Sequence, residues 1–162
     1  MIDIPEGVSV SVDGHKVTAK GPGGEVQKTF TRETTVKVQG KGIDVVASNH
    51  ALASTVESVI NAMMAGAKAG YRRSMKLIYA HFPITIEVKG KDVLVKNFLG
   101  EKQPRKTVLI GNTKVEAKGQ SVTISGPDKE AVGQTIANLR TAMRIKDRDA
   151  RIFQDGIYEV EG

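Results

Sequence analysis

From Val8 to Val12 the chain reads Val-Ser-Val-Ser-Val, a strict alternation of apolar and hydroxyl side chains. Successive side chains of a strand point to opposite faces, so this pattern predicts a strand with one buried face. Asp13-Gly14 follows it as a two-residue hairpin signal, because a type I′ turn needs positive φ at its central positions. Runs of similar character recur at His15–Lys20, Glu25–Phe30, Thr34–Val38 and Ile43–Ala47, then at Asp92–Lys96, Lys106–Ile110, Thr113–Ala117 and Ser121–Ser125. The short connections between them favour antiparallel pairing. Twice the period changes. Leu52, Val56, Val59 and Met63, and later Val132, Ile136, Leu139 and Met143, are spaced 4, 3, 4, which predicts a helix with one apolar stripe. Ser48 or Asn49 can cap the first helix and Gly70 can stop it. Pro127 opens the second, where Asp128 and Glu130 complement the positive helix end.

The two helices close two copies of one pattern. Residues 8–25, VSVSVDGHKVTAKGPGGE, correspond to residues 84–101, ITIEVKGKDVLVKNFLGE, with Val12/Val88, Gly14/Gly90, Val17/Val93, Lys20/Lys96, Gly24/Gly100 and Glu25/Glu101 identical at a separation of 76. KVQGKGIDVVAS (37–48) then matches KVEAKGQSVTIS (114–125) at a separation of 77. Identities, glycine positions and helix placement coincide over ~60 residues, the signature of an internal repeat. The expected fold is α+β: two tandem duplicated domains, each an antiparallel sheet with one helix packed across a face. Residues 1–80 form the first domain with the linker GYRRSMKLIYAHFP (70–83) at its end, and residues 81–162 the second. With no second helix in either copy, the other sheet face is solvated or used.

The chain has 162 residues, 40% of them apolar but only 4% aromatic, so its cores are built of Val, Ile, Ala and Leu. The net charge of +6 raises the odds of a polyanionic partner. The absence of cysteine excludes disulfides, a thiolate zinc site and a Cys nucleophile, and fits a reducing compartment. MIDIPEGV has no apolar core of a signal peptide, and no run approaches the ~20 apolar residues that cross a bilayer. A soluble intracellular protein is expected.

Catalytic chemistry finds no footing. His15, His50 and His81 fall at a strand start, a helix start and in the linker, and none has a nucleophile or orienting group around it. His50 near a helix N-terminus can touch a phosphate. Gly21-Pro22-Gly23-Gly24 is a literal GxxG, but it sits between strands. A P-loop requires a following helix, and the KH clamp joins two helices, so the tetrapeptide is expected to be a flexible turn. Asp147 and Asp149 lie in a basic run and pair with arginines or set spacing, and no His/Asp/Glu cluster has metal-ligand spacing. No catalytic residue, metal or other cofactor and no small-molecule substrate is expected.

The basic segments carry more. Arg140–Arg151 holds five cations, Arg140, Arg144, Lys146, Arg148 and Arg151, against Asp147 and Asp149. Four residues apart on a helix, Arg140 and Arg144 share a face at the edge of the buried stripe. The cations suit either RNA phosphates or the negative end of a solvated helix, and phosphate contact is the stronger reading. Phe153 and Tyr158 can stack on bases, but pinning the tail to its domain is the better expectation. Lys96, Lys102, Arg105 and Lys106 make a second basic group in or around a long loop, with only Glu101 opposing, where RNA contact and ordinary solvation stand level; Arg72, Arg73 and Lys76 make a third in the linker, where charge that keeps the linker soluble is the better reading. The residues alone leave room for a module that recruits an acidic protein through open sheet faces, or, on the glycine loop and His50, for an enzyme acting on phosphorylated substrates.

GPDKEAVGQTIANLR (126–140) and RDARIFQDGIY (148–158) closely resemble the family of large-ribosomal-subunit protein six, in its archaeal and eukaryotic branch. The opening IPEGVSVSVDG, the segment SNHALASTVESVINAMMAGAKAGY and the duplication fit the same family, so the resemblance covers the whole chain. It implies a structural, non-enzymatic protein of the cytoplasmic ribosome. It further implies binding to large-subunit rRNA near the sarcin-ricin loop and the stalk base, beside neighbouring ribosomal proteins, where it supports the translation-factor region. Carried over by position in the motif, RNA contact falls to Gln134, Asn138, Arg140, Arg144, Lys146, Arg148 and Arg151. Lys102, Arg105 and Lys106 join them on charge alone. The acidic close, Glu159-Val160-Glu161-Gly162, argues against an extended basic tail reaching into RNA.

Overall fold

The computed structural model describes residues 2–160, so Glu161 and Gly162 of the acidic close lie outside the described residues. The chain divides into two compact units. One runs up to Tyr71 and takes in Gly126–Lys129; the other comprises Arg72–Ser125 and the chain from Glu130 onward.

In the first unit, β1 (Ile2–Asp3), β2 (Ser9–Asp13), β3 (Lys16–Gly21), β4 (Gly24–Thr29), β5 (Thr34–Gln39) and β6 (Gly42–Ala47) precede α1 (His50–Ala69). The strands form two three-stranded antiparallel sheets, β2-β3-β4 and β1-β6-β5, where one was expected. The Asp13-Gly14 hairpin holds: Val12 lies opposite Val17. Asn49 caps α1, its side chain accepting the Leu52 N–H at 2.8 Å, and the helix stops at Gly70. α1 packs against β3, β4 and β6, so it bridges both sheets. That explains a shift in the buried stripe. Val56, Ile60, Met63, Met64 and Ala67 are fully covered, while Leu52 and Val59 are only partly so. A helix spanning two sheets buries a wider face than the 4-3-4 spacing marks out.

The glycine loop is a turn, but packing rather than flexibility accounts for its composition. The Gly23 N–H donates to Ala67 O at 2.7 Å. A Cβ on Gly21 would fall 2.4 Å from Ala67 O, and one on Gly23 would fall 2.6 Å from Gly66 O. Only residues without side chains let this hairpin lie against the end of α1.

The second unit holds β7 (Tyr71–Ile78), β8 (Thr85–Lys89), β9 (Asp92–Lys96), a 3-10 turn at Phe98–Gly100, β10 (Arg105–Val108), β11 (Lys114–Lys118), β12 (Ser121–Gly126), α2 (Lys129–Ala142) and β13 (Gly156–Glu159). Its sheets are β10-β9-β8 and the four-stranded β11-β12-β7-β13. α2 buries Val132, Thr135, Ile136 and Leu139, and the Thr135 hydroxyl oxygen accepts the Ile110 N–H at 3.2 Å.

Two segments depart from the sequence reading. Most of the expected linker is β7, an inner strand with Met75 and Leu77 buried at its centre. Arg72 and Arg73 side by side hide the alternation that begins at Ser74. The tail is pinned, as favoured, but by backbone pairing of β13 with β7 and by Ile157, buried opposite Leu77. Phe153 and Tyr158 both stay exposed.

Gly21→Ala is expected to cost about 1–3 kcal/mol through overpacking against α1. Gly133→Ala is expected to add ~0.5–1 kcal/mol, because a Cβ at that exposed helix position meets nothing within 4 Å. Urea denaturation of the two variants measures both, and a Gly21→Ala protein as stable as wild type would contradict the packing account.

Candidate nucleic-acid interface

Arg105 organises the basic region. It begins β10 on the face it shares with Thr107, opposite the buried Val95. Its Nε and Nη2 donate to the two carboxylate oxygens of Glu101 at 2.9 and 2.7 Å. Its Nη1 donates to Ala142 O at 2.9 Å, a carbonyl left without a helical partner where α2 ends, and to Arg144 O at 2.7 Å in the turn beyond. The guanidinium lies over the ring of Phe98, 4.5 Å from its centroid. Phe98 is buried between Asn97 and Leu99, both at positive φ (61° and 52°), a conformation uncommon outside glycine. Asn97 holds the bend by donating to Pro83 O at 3.1 Å. The guanidinium offered on charge as an RNA contact is thus engaged within the protein on every side.

The helix-end cations radiate from this anchor. Regular helix stops at Ala142, so Arg144 lies in a closing turn, its N–H donating to Thr141 O at 3.2 Å. Arg140, Arg144, Lys146, Arg148 and Arg151 are all exposed. Asp147, at φ 60°, turns the chain between them. The Arg148 guanidinium lies 5.0 Å from the centroid of Phe153, which orders it without removing its charge. Arg151 bonds Asp149 through Nε, Nη2 and its backbone N–H at 3.2, 3.3 and 3.0 Å, yet its side chain remains 91% exposed. The backbone N–H of Arg151, followed by its side chain, holds the Asp149 carboxyl below its ordinary value. Asp149 therefore stays ionised and shapes the turn.

Of the other candidates, Lys102 is exposed in the loop beside the anchor. Adjacent strand positions face opposite ways, so Lys106 points away from Arg105 and pairs with Asp92 at 3.5 Å. Gln134 Nε2 donates to Asn138 Oδ1 at 3.0 Å, and Asn138 Nδ2 to Val108 O at 3.4 Å. These two amides tie α2 to β10 and leave the Gln134 carbonyl on the surface. The structure thus gathers Lys102, Arg144, Lys146 and Arg148 around Arg105, sets Gln134, Asn138 and Arg140 along the preceding turns of α2, and turns Lys106 aside. Phe98 escaped the sequence reading, and so did the pairing of Glu101 with Arg105. Their one signal was the four-residue spacing of Glu101 and Arg105, which carries weight only once the loop is known to fold back.

Among the described residues no group of three His, Asp or Glu side chains is placed to hold a metal, and no helix is long and apolar enough to cross a membrane.

Hydrogen bonds from Arg105 are the main cause holding the Glu101 carboxyl below its ordinary value; the charges of Arg105, Arg148 and Lys146 add to it. A depressed carboxyl pKa stabilises the fold at neutral pH, and that contribution fades as pH falls through the folded-state value. Wild type is therefore expected to lose its advantage over Glu101→Gln on acidification below the ordinary glutamate range. Arg105→Ala is expected to cost about 2–4 kcal/mol, with Arg105→Lys recovering only part, because an ammonium lacks the planar fork. Thermal melts across pH read both, and parallel pH profiles for wild type and Glu101→Gln would remove the pair from the account.

Comparison with known proteins finds relatives of this chain. Residues 4–70 and 82–156 match the family model described as Ribosomal protein L6. The chain is 42% identical to the large ribosomal subunit protein uL6 of Methanobrevibacter smithii over 97% of its own length and 92% of the relative's. It is 45% identical to that of Methanosphaera stadtmanae (99% and 91%) and 41% identical to that of Staphylothermus marinus (97% and 90%).

Proposed function

The chain belongs to the ribosomal protein L6 family, and from that premise we propose that its second repeat grips large-subunit rRNA through the end of α2, near the sarcin-ricin loop and the base of the stalk. As a member of that family it is a non-enzymatic, structural constituent of the large subunit of the cytoplasmic ribosome, associated with large-subunit rRNA and other ribosomal proteins. The finer reading concerns which residues hold the RNA and where.

The observation that carries it is the fan of exposed cations beyond Ala142, held in place by Arg105. A guanidinium on a fixed stem loses less freedom on meeting a phosphate than one on a loose tail, and its planar fork matches phosphate oxygens. Arg140, Arg144, Lys146, Arg148 and Arg151 neutralise backbone charge, Lys102 extends the field, and Gln134 and Asn138 supply amide contacts along α2. Lys106 lies on the flank, and Arg105 positions the group without touching RNA. In this division residues 81–162 make the principal contact and residues 1–80 support it. Recognition is of backbone and shape, which suits a protein that holds RNA elements in fixed relation below the translation-factor site.

Binding of the full chain to large-subunit rRNA is expected to weaken steeply with salt. The combined Arg140→Ala, Arg144→Ala, Arg148→Ala and Arg151→Ala variant is expected to flatten the slope of log K against log salt by about 3–4, near 0.9 per lost phosphate contact. Filter binding over a salt series gives the slope, and equal slopes for the two proteins would remove the helix end from the interface.

A further inference from the structure

The two sheets of the second unit treat their outward charges differently. On the outer face of β10-β9-β8 the lysines have acidic partners: Glu87 pairs with Lys96 and, at 3.5 Å, with Lys89, while Asp92 takes Lys106. On the four-stranded sheet, Met75, Leu77, Val115, Val122, Ile124 and Ile157 are buried. Strand alternation then turns Arg72, Lys76, Lys114, Lys118, Glu116 and Tyr158 to the opposite face, where all six are exposed. Among the described residues none of these four cations has an ion-pair partner, whereas the neighbouring sheet's lysines do.

Register makes this a continuous surface. Lys118 stands opposite Ser121, and Tyr158 stands opposite Lys76. The Leu77 N–H donates to Gln120 O at 2.7 Å, which sets Lys76 at the Ser121 end of β12. Lys118, Ser121, Lys76 and Tyr158 therefore form a row across four strands, about 14 Å at the usual strand spacing, and Lys114 lies about 13 Å further along β11.

We infer that this open face is a second RNA-binding surface, separate from the helix end, that takes the sugar-phosphate backbone of an RNA duplex. Four cations against one carboxylate complement a polyanion, and hydroxyls such as Ser121 and Thr123 lie between them to donate to phosphate oxygens. Sheet faces that read single strands stack two or three bases on aromatic rings. This one offers a single tyrosine, whose hydroxyl is already donated to Gln154 O at 2.9 Å. Backbone contact with a duplex uses what the face has. Such a surface lets one rigid unit touch RNA on two sides. The inference rests on the chain being an RNA binder but not on the helix-end site.

The test uses the full chain with in vitro transcribed large-subunit rRNA across a salt series. The Lys76→Gln, Lys114→Gln and Lys118→Gln triple variant is expected to bind about tenfold or more weakly at low salt and to lose about 2–3 from the slope of log K against log salt. Glu116→Lys is expected to steepen the slope by about 1 and tighten binding. A folded triple variant with wild-type affinity and slope overturns the inference. If it keeps RNA affinity but loses co-sedimentation with large subunits, the face meets an acidic protein, and the inference is again overturned. Should the triple variant not fold, an unchanged slope for Glu116→Lys decides against the surface. The helix-end arginine variant, run in parallel, fails or holds independently.

Discussion

The C-terminal third of this protein depends on one half-buried guanidinium. A helix ends with carbonyls that have no partner of their own, and chain leaving such an end ordinarily frays into water. Here Arg105 crosses from a strand and accepts that role, donating to Ala142 and Arg144 while Glu101 balances its charge and Phe98 supports its plane. The cost of drawing a charge partly out of water is offset by four hydrogen bonds from one planar group. Everything beyond Ala142 hangs between this anchor and β13, where Ile157 enters the core of the four-stranded sheet. A basic segment fastened at both ends keeps its exposed cations in fixed places.

The anchor also shows what duplication made available. In the first copy the β3–β4 turn is Gly-Pro-Gly-Gly, small enough to lie on the backbone of α1. The corresponding turn of the second copy has become Asn97–Gly100, with Phe98 sent inward and two non-glycine residues in left-handed conformations. Strain of that kind persists only where surrounding structure over-determines it. Here the buried ring and the Arg105 network supply that determination. One scaffold thus carries a closely packed turn in one copy and a cation-bearing loop in the other.

Charge placement, more than total charge, distinguishes the surfaces of the second unit. Where lysines face the solvent on β8, β9 and β10, carboxylates meet them. Along the helix end and across the four-stranded sheet, cations outnumber acids, and the acids that are present shape turns (Asp149) or stand alone (Glu116). A net charge of +6 says only that a polyanion is welcome. The distribution says where cations stand without acids to meet them.

Local patterns carried the repeat, most strands, both helices, the cap at Asn49 and the basic helix end, because alternation, helical period and turn chemistry are properties of neighbours in sequence. The same information identified the family through GPDKEAVGQTIANLR and RDARIFQDGIY. What it did not contain were relations between distant residues. The membership of β7 in a sheet depends on β12 and β13 arriving beside it, so a segment with two adjacent arginines read as linker. The division of each copy into two sheets, and the wider stripe of α1 that follows, depends on which strand edges pair. Whether a cation is spent or free depends on what lies across from it: Arg105 and Arg148 are both charged in the sequence, but only folding sets one against two carbonyls, at the end of α2 and in the turn beyond, and leaves the other at the surface.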